Sequence, residues 1–534
     1  MRNAGAEQFD YIVVGAGAAG CVVASRLAAA AAAGPRRTVL LVEYGGRDLD
    51  PLIHIPKGFY YTLRGQRYLY RYPTDPAAPG QRPETWLRGK VVGGSTAVNG
   101  MMWTRGAPAD WDGLAARGNQ GWAWADILPA YRALEDHSLG ASGARGAGGP
   151  VGVTITPATG EISAAILQAA QNYGWAHVDD INSYDTERIG YTPCTIKNGR
   201  RVSAYSAMVR SGENNLVIAT RTRAERVLFD GRRATGIRVR YGSGGAGEVA
   251  ARREVIIAAG AVETPLLLER SGIGSPGVLR ALGIAPLVES PNVGERLIEQ
   301  RGVALQVTLR HGPARHLARE IFRYLLNGQG LLATAGYDLV CQFKSSPGIS
   351  RPDIQGLFVP MALDTGSTEM RLAKHPGILF MGYPIRPRTF SSVHASGASA
   401  AGPPVIRPRF LATEADRAAI APVLGIARGV LGEGPLADLI EAEEFPGPSV
   451  GTPAEVVQYS LATGTGVYHA VGSAAMGPSG DDVVDDRLRV RGTEGLRIAD
   501  ASVLPVQVAG NTAAPAMAVG WRAADFILED AVGG

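Results

Sequence analysis

The stretch that most constrains this chain is Gly15–Gly20, G-A-G-A-A-G, set between an apolar run and a small-residue segment. The run before it, Phe9–Val14 (FDYIVV), is rich in β-formers, too short for a helix and stopped by glycine. It is predicted to be a buried parallel strand. Ala18–Ala33 is predicted as a helix, and Thr38–Val42 (TVLLV) as a second strand ending at Glu43. Within this frame Gly15 permits the tight turn, Gly17 lets backbone approach a pyrophosphate, and Gly20 lets helix and strand pack closely. Ala18 and Ala19 open the helix, whose unpaired N–H groups and positive dipole end suit phosphates. Glu43 stands 23 residues beyond Gly20, within reach of ribose hydroxyls. Its carboxylate repels a 2′-phosphate, which disfavours NADP. The pattern predicts dinucleotide binding without separating NAD from FAD; the plain alternative is a glycine-rich turn in any α/β protein.

Tyr11–Ala33 is apolar enough to imitate a leader or a membrane span. Arg2 is followed by Glu7 and Asp10, which is not a basic n-region. A span would have to hold Arg26 and three glycines, and no other segment is long and uncharged enough, so no integral membrane segment is expected. Lys and Arg exceed Asp and Glu by 53 − 49 = 4, with no concentrated basic stripe, so nucleic-acid binding is not expected. Cys21, Cys194 and Cys341 are scattered and form neither a disulfide framework nor a zinc pattern, which predicts a reducing, cytoplasmic setting. The 534 residues set an upper bound of three or four domain-sized units. Gly and Pro together number 70 + 34 = 104, so the fold is loop-rich. The eight histidines form no HExxH or other ligand cluster, and no metal is predicted; His311 and His316 are expected to be solvated.

Four ordered stretches resemble the glucose-methanol-choline (GMC) family of FAD-dependent oxidoreductases. They are FDYIVVGAGAAGCVVASRL around the glycines; Arg88–Arg105, RGKVVGGSTAVNGMMWTR; Gly260–Gly274, GAVETPLLLERSGIG; and a C-terminal set from His469 to Asp525 with HAVGSAAMG, LRIADASVLP and GNTAAPAMAVGWRAAD. The resemblance implies an α/β fold with a Rossmann-like FAD-binding domain and a second, α+β substrate domain built on an antiparallel sheet. The FAD domain is expected over 1–150, 206–300 and 461–534, and the substrate domain over 151–205 and 301–460. Val92, Gly94 and Ser95 belong to the implied flavin loop, and Asn99, Gly100 and Met101 are expected to line the ring. Covalent relatives carry a histidine where this chain has Val98, so the FAD is expected to be non-covalent. Val227 is implied in the adenine contact, and Asp500 and Ala501 in the pyrophosphate and ribityl contacts, an Asp helix cap being the bland reading of the former.

By the same resemblance His469 is the general base toward an alcohol hydroxyl, a role that suits histidine. Asn511, 42 residues on, steadies the oxygen. Thr512 and Tyr468 are expected at the flavin and pocket, and Asp338 is a candidate for holding a cationic substrate. The implied reaction is oxidation of an alcohol to aldehyde or ketone, with hydride passing to flavin N5, of dehydrogenase type. The acceptor is open among a quinone, a redox protein and oxygen. The alternatives are an oxidase producing hydrogen peroxide and a non-redox hydroxynitrile lyase. The family's VGxNLxDH reads V-G-E-R-L-I-E-Q, with Arg296, Glu299 and Gln300 as departures expected to alter only local loop contacts. Trp521-Arg522 replaces a more common acidic-basic pair. Ser142–Pro150 is expected to be a flexible connector, Gly242–Gly247 a hairpin tip and Pro404–Phe410 part of an antiparallel sheet. His311–Leu332 has helical periodicity with arginines on another face; it is expected as a solvated helix over the pocket, the alternative being contact with a membrane or partner.

Overall fold

In a computed structural model of the chain, the strand Gln8–Val14 is buried from Tyr11 to Val14 without alternation, because both faces of its sheet are covered. The structure describes residues 8–30, 37–77, 81–157, 160–183, 185–210, 213–312, 317–364 and 371–533. His316 and the predicted helix end at 31–33 lie outside the described residues. In the first sheet Leu216–Ala219, Val39–Val42, Gln8–Val14 and Ala246–Ile257 run parallel in that order. Ala246–Ile257 is long enough to do two things. Its first half pairs with Arg233–Tyr241 in an antiparallel hairpin, tipped as expected near Gly244, and its second half runs parallel to Leu496–Ile498.

The first helix, Ala18–Ala29, carries no acidic residue in its first turn and no side-chain cap. It packs against the C-terminal helix Ala513–Gly533. The two cross closely: a Cβ on Gly520 would lie 2.6 Å from the Ala19 carbonyl oxygen. Arg26 locks the crossing by donating to Asp525 Oδ1 at 2.6 Å and to the Trp521 carbonyl at 2.7 Å, with its guanidinium 4.0 Å from the Trp521 ring centre. Trp521 is thus part of this clamp.

The second sheet has the order Ile440–Phe445, Val303–Leu309, Gly377–Pro384, Ile354–Val359, Leu339–Phe343, Arg188–Tyr191 and Ala176–His177, antiparallel except for the last pair. Strand alternation divides its two faces. Ile354, Phe358 and Phe380 pack with Ile166 and Ala169 of the helix Glu161–Asn172 and with Leu424 and Ala427 of the helix Val423–Leu431. Gln355, Leu357, Met381 and Tyr383 face the other way, toward the first sheet. Among the described residues Val405–Arg407, inside the predicted antiparallel segment, pairs only with Ser392–His394. Ser142–Pro150 is no flexible connector: the Gly146 N–H donates to Glu135 at 3.1 Å, and a Cβ there would meet the Arg132 carbonyl oxygen at 1.9 Å.

Candidate active site

Between the two sheets lies a cavity of about 460 Å3. Its far end is walled by Glu43, Arg223 and Ala224, its middle by Gly15, Gly17, Gly260 and Asp500, and its near end by Asn99, Met101, His469 and Asn511. Gly15 makes its turn at φ +107°. At Gly17 no protein atom lies within 4 Å of where a Cβ would project, so the glycine leaves a cradle rather than a packed contact. Ala18 and Ala19 line the cavity beside it, at the uncapped helix N-terminus. Glu43 Oε2 accepts from the Ala16 N–H at 3.1 Å and Oε1 from the Gly45 N–H at 2.7 Å, and burial pushes its carboxyl up to about 7.

Asp500 Oδ2 accepts from the Gly260 N–H at 2.9 Å and the Thr264 hydroxyl at 2.7 Å, while Oδ1 caps the short helix after it through the Ser502 N–H at 2.7 Å. The carboxylate therefore ties the Gly260 turn to the 500 loop, and Ala501 lines the cavity next to it. Gly94, Ser95, Asn99, Gly100 and Met101 also line it, as does Thr512 at the opposite wall. Asn99 Oδ1 accepts from the Met101 N–H at 3.0 Å and from buried Arg201 at 2.9 Å, which fixes the loop from outside. Met101 and Tyr468 hold φ of 67° and 68°, a region costly for side-chain-bearing residues, and both border the cavity.

Three sequence-predicted contacts fall outside the cavity. Gly20 serves packing alone: a Cβ there would lie 1.9 Å from the Gly15 carbonyl oxygen. Val92 is fully buried in the core, its N–H donating to the Gly46 carbonyl at 3.0 Å. The Val227 N–H is taken by Ser271 Oγ at 2.9 Å, and its strand reaches the cavity earlier, through Thr222, Arg223 and Ala224. Asp338 is likewise buried away from the cavity, accepting from the Ser163 hydroxyl at 3.0 Å, so it holds no substrate there.

His469 and Asn511 meet across the near end. Asn511 Nδ2 lies 2.9 Å from His469 Nε2, and His469 Nδ1 lies 2.7 Å from Gln300 Oε1. The direction of these bonds is set by a relay that begins at a group able only to donate. Arg188 Nη2 donates to Gln342 Oε1 at 2.6 Å, and Gln342 Nε2 to Gln355 Oε1 at 3.2 Å. Gln355 Nε2 then donates to Asn511 Oδ1 at 3.0 Å, which turns Nδ2 of Asn511 toward the imidazole. The chain polarity makes His469 Nε2 an acceptor and leaves the proton on Nδ1, pointing at Gln300. The Asn511 backbone is held by its N–H donating to Thr104 Oγ1 at 2.7 Å.

Glu299 and Gln300 therefore do more than the local loop role expected of them. Glu299 Oε1 accepts from the His469 N–H at 2.8 Å, and its other oxygen lies 3.4 Å from Arg88. Burial pushes the Glu299 carboxyl up, opposed by Arg88. The departure from the family pattern marked this stretch, but linear sequence does not show that it folds against position 469. Gln342, Gln355 and Arg188 carried no such mark. Desolvation, and then the Arg88 charge, pull the His469 pKa down from 6.5 to about 3, so the imidazole is neutral.

The arrangement fits an elongated dinucleotide. A cradle for phosphate sits at a helix N-terminus, an acidic tip stands at one end, and a neutral imidazole beside an amide stands at the other. Models described as GMC oxidoreductase match residues 9–300 and 387–520. The chain is 33% identical to human mitochondrial choline dehydrogenase, over 99% of this chain and 91% of that enzyme. It is 31% identical to an oxygen-dependent choline dehydrogenase of Brucella anthropi, covering 97% and 95% of the two. Among solved structures it resembles pyridoxine 4-oxidase from Mesorbium loti, with a TM-score of 0.86, 28% identity and coverage of 97% and 98%. A formate oxidase superposes with a TM-score of 0.90 at 25% identity, over 99% of each chain. Matched along nearly its whole length, the chain belongs to the GMC oxidoreductase family and is an FAD-dependent oxidoreductase acting on CH–OH donors.

Proposed function

We propose that the protein oxidises a neutral, apolar or aromatic alcohol to the aldehyde or ketone, with His469 as general base. FAD, which Gly15, Gly17, Asp500 and the Asn99–Met101 loop would hold, would supply the two-electron acceptor for the carbinol hydride. His469 Nε2 receives the hydroxyl proton. Its Nδ1–H stays on Gln300 Oε1, which spreads the imidazolium charge as it forms. Asn511 Nδ2, already 2.9 Å from Nε2, is placed to share its hydrogen bond with the substrate oxygen and steady the developing alkoxide. The observation that carries this reading is the hydrogen-bond relay from Arg188 through Gln342, Gln355 and Asn511 to His469, from whose polarity the tautomer follows.

The substrate class rests on the near wall. Met101, Met102, Tyr337, Leu357, Met381 and Tyr383 line it, whereas the lining carboxylates Glu43, Glu263 and Asp500 belong to the far end and the middle of the cavity. Arg88 lines the same region and Glu299 is committed to it. That environment suits an uncharged alcohol better than the quaternary ammonium alcohol named for the choline dehydrogenases. Non-covalent FAD is supported by buried Val98 on the cavity wall, which offers no nucleophile to the ring; acid precipitation should release all the yellow colour into the supernatant. We assign 1–150, 206–300 and 461–534 to FAD binding and 151–205 and 301–460 to the substrate side, a division supported by the strand membership of the two sheets. A cytoplasmic setting is supported by three buried free thiols.

The test is anaerobic flavin bleaching by a panel of alcohols, with choline included, followed by admission of oxygen and a peroxide assay. Benzylic or medium-chain alcohols should bleach the flavin faster than choline, with little peroxide afterwards if the enzyme is of dehydrogenase type. His469→Ala should keep its flavin and slow bleaching by roughly 10²–10⁴. Unchanged bleaching would remove His469 from the reaction.

A further inference from the structure

The helix Leu317–Asn327 is turned the opposite way from an ordinary surface helix, which hides its apolar stripe against the core. Ile321, Phe322, Leu325 and Leu326 are 41%, 66%, 76% and 71% exposed. Their spacing puts all four on one face. The polar side chains do the anchoring instead. Glu320 Oε2 accepts from the Leu331 N–H at 2.7 Å, and the Tyr324 hydroxyl donates to the Gly199 carbonyl at 3.1 Å. The inward face is thus polar and hydrogen-bonded, and the outward face is greasy.

Charge completes the pattern. Arg319 and Arg323 are exposed along one edge of the apolar face, one turn apart. Arg200, next to Gly199, is exposed too and is close enough to act on the Tyr324 phenol. The helix's sole acid, Glu320, is half-buried, with Oε2 on the Leu331 N–H and Oε1 4.0 Å from Arg323 Nη1. An apolar stripe edged by guanidiniums complements an anionic lipid surface: the apolar side chains enter the acyl boundary while the arginines stay among the headgroups. The short helix Phe59–Thr62 lies nearby, since Leu331–Ala333 packs on Pro56–Gly58 just before it. It offers exposed Tyr61 outside and Phe59 on the cavity wall inside.

We propose that this helix docks the protein on an anionic bilayer surface, with the cavity rim facing the lipid. No helix among the described residues is long and apolar enough to cross a membrane, so the attachment is interfacial. The geometry would let an apolar alcohol or a lipid-soluble electron acceptor reach the site from the bilayer.

The experiment is sedimentation of the purified holoenzyme with phosphatidylcholine vesicles, with and without phosphatidylglycerol. The protein should pellet with the anionic vesicles, and rising salt should release part of it. The triple variant Phe322→Ser, Leu325→Ser, Leu326→Ser should bind at least about tenfold more weakly while turning over a water-soluble alcohol at the parental rate. Arg319→Glu with Arg323→Glu should abolish the preference for phosphatidylglycerol. Failure to pellet, or equal pelleting of the triple variant, overturns the proposal. So does a parental dimer that the triple variant converts to monomer, since the face is then covered by a second copy.

Discussion

His469 is held neutral by its surroundings, and both of its ring nitrogens are committed before any substrate arrives. With its pKa pulled to about 3, the imidazole does not gain a proton where a free histidine does, near 6.5. The rate of flavin reduction at low substrate should therefore stay flat from about pH 5 to 8; an acid limb centred near the free-histidine value in stopped-flow data contradicts this environment. Gln300 is the residue that keeps the proton on Nδ1. Gln300→Leu removes the acceptor while keeping the volume, and flavin reduction should slow by about 10–100-fold at unchanged FAD content. Gln300→Glu restores an acceptor and adds a charge, so it should recover much of the rate and bring an acid limb into view as the His469 pKa rises.

Two glycines of one motif separate at the level of the strand–helix turn. A Cβ at position 20 meets the Gly15 carbonyl oxygen at 1.9 Å, so Gly20→Ala must move backbone. It should cost the apoprotein about 2–4 kcal/mol in chemical denaturation. Gly17 has φ −84° and ψ −162°, extended backbone that alanine tolerates, and nothing of the protein stands within 4 Å of its missing Cβ. Gly17→Ala should leave apoprotein stability within about 0.5 kcal/mol. The new methyl instead enters the space for pyrophosphate, so FAD affinity should fall at least tenfold, about 1.4 kcal/mol. Flavin titration of the two variants beside their denaturation curves distinguishes packing from binding.

Across the whole molecule, two groups lining the cavity give stability opposite dependences on pH. His469 binds its proton more weakly folded than unfolded, so its contribution is complete above 6.5 and is lost as the pH falls toward 3. Glu43 holds its proton more tightly folded, about 7 against 4.5, so its contribution is complete below 4.5 and is lost as the pH rises through about 7. Apoprotein carrying Glu43→Gln should consequently lose less stability, or gain more, than the parent as the pH rises from about 4.5 to 7. Equal losses in the two would mean that the Glu43 carboxyl is not perturbed in the folded chain.

Local rules sufficed for the strand–glycine–helix–strand unit, because hydrophobic period, glycine conformation and helix polarity act over a few neighbouring residues. Phe9–Val14, the turn at Gly15 and the cradle at Gly17 are legible for that reason, and the motif around His469 is legible through its resemblance to a family. Position 227 was misplaced because a strand's register against the cavity depends on its partners, here Ser271. The tertiary structure alone decided what surrounds the imidazole. Gln300 and Gln355 come from segments 169 and 114 positions away, and Arg188, which sets the polarity of their hydrogen bonds, stands on another strand of the second sheet. The exposure of Phe322 and Leu325 was equally hidden, since periodicity shows that a helix has an apolar face but not which way that face is turned. Proton position and helix orientation are settled by contacts distant in the chain, and linear order does not record such contacts.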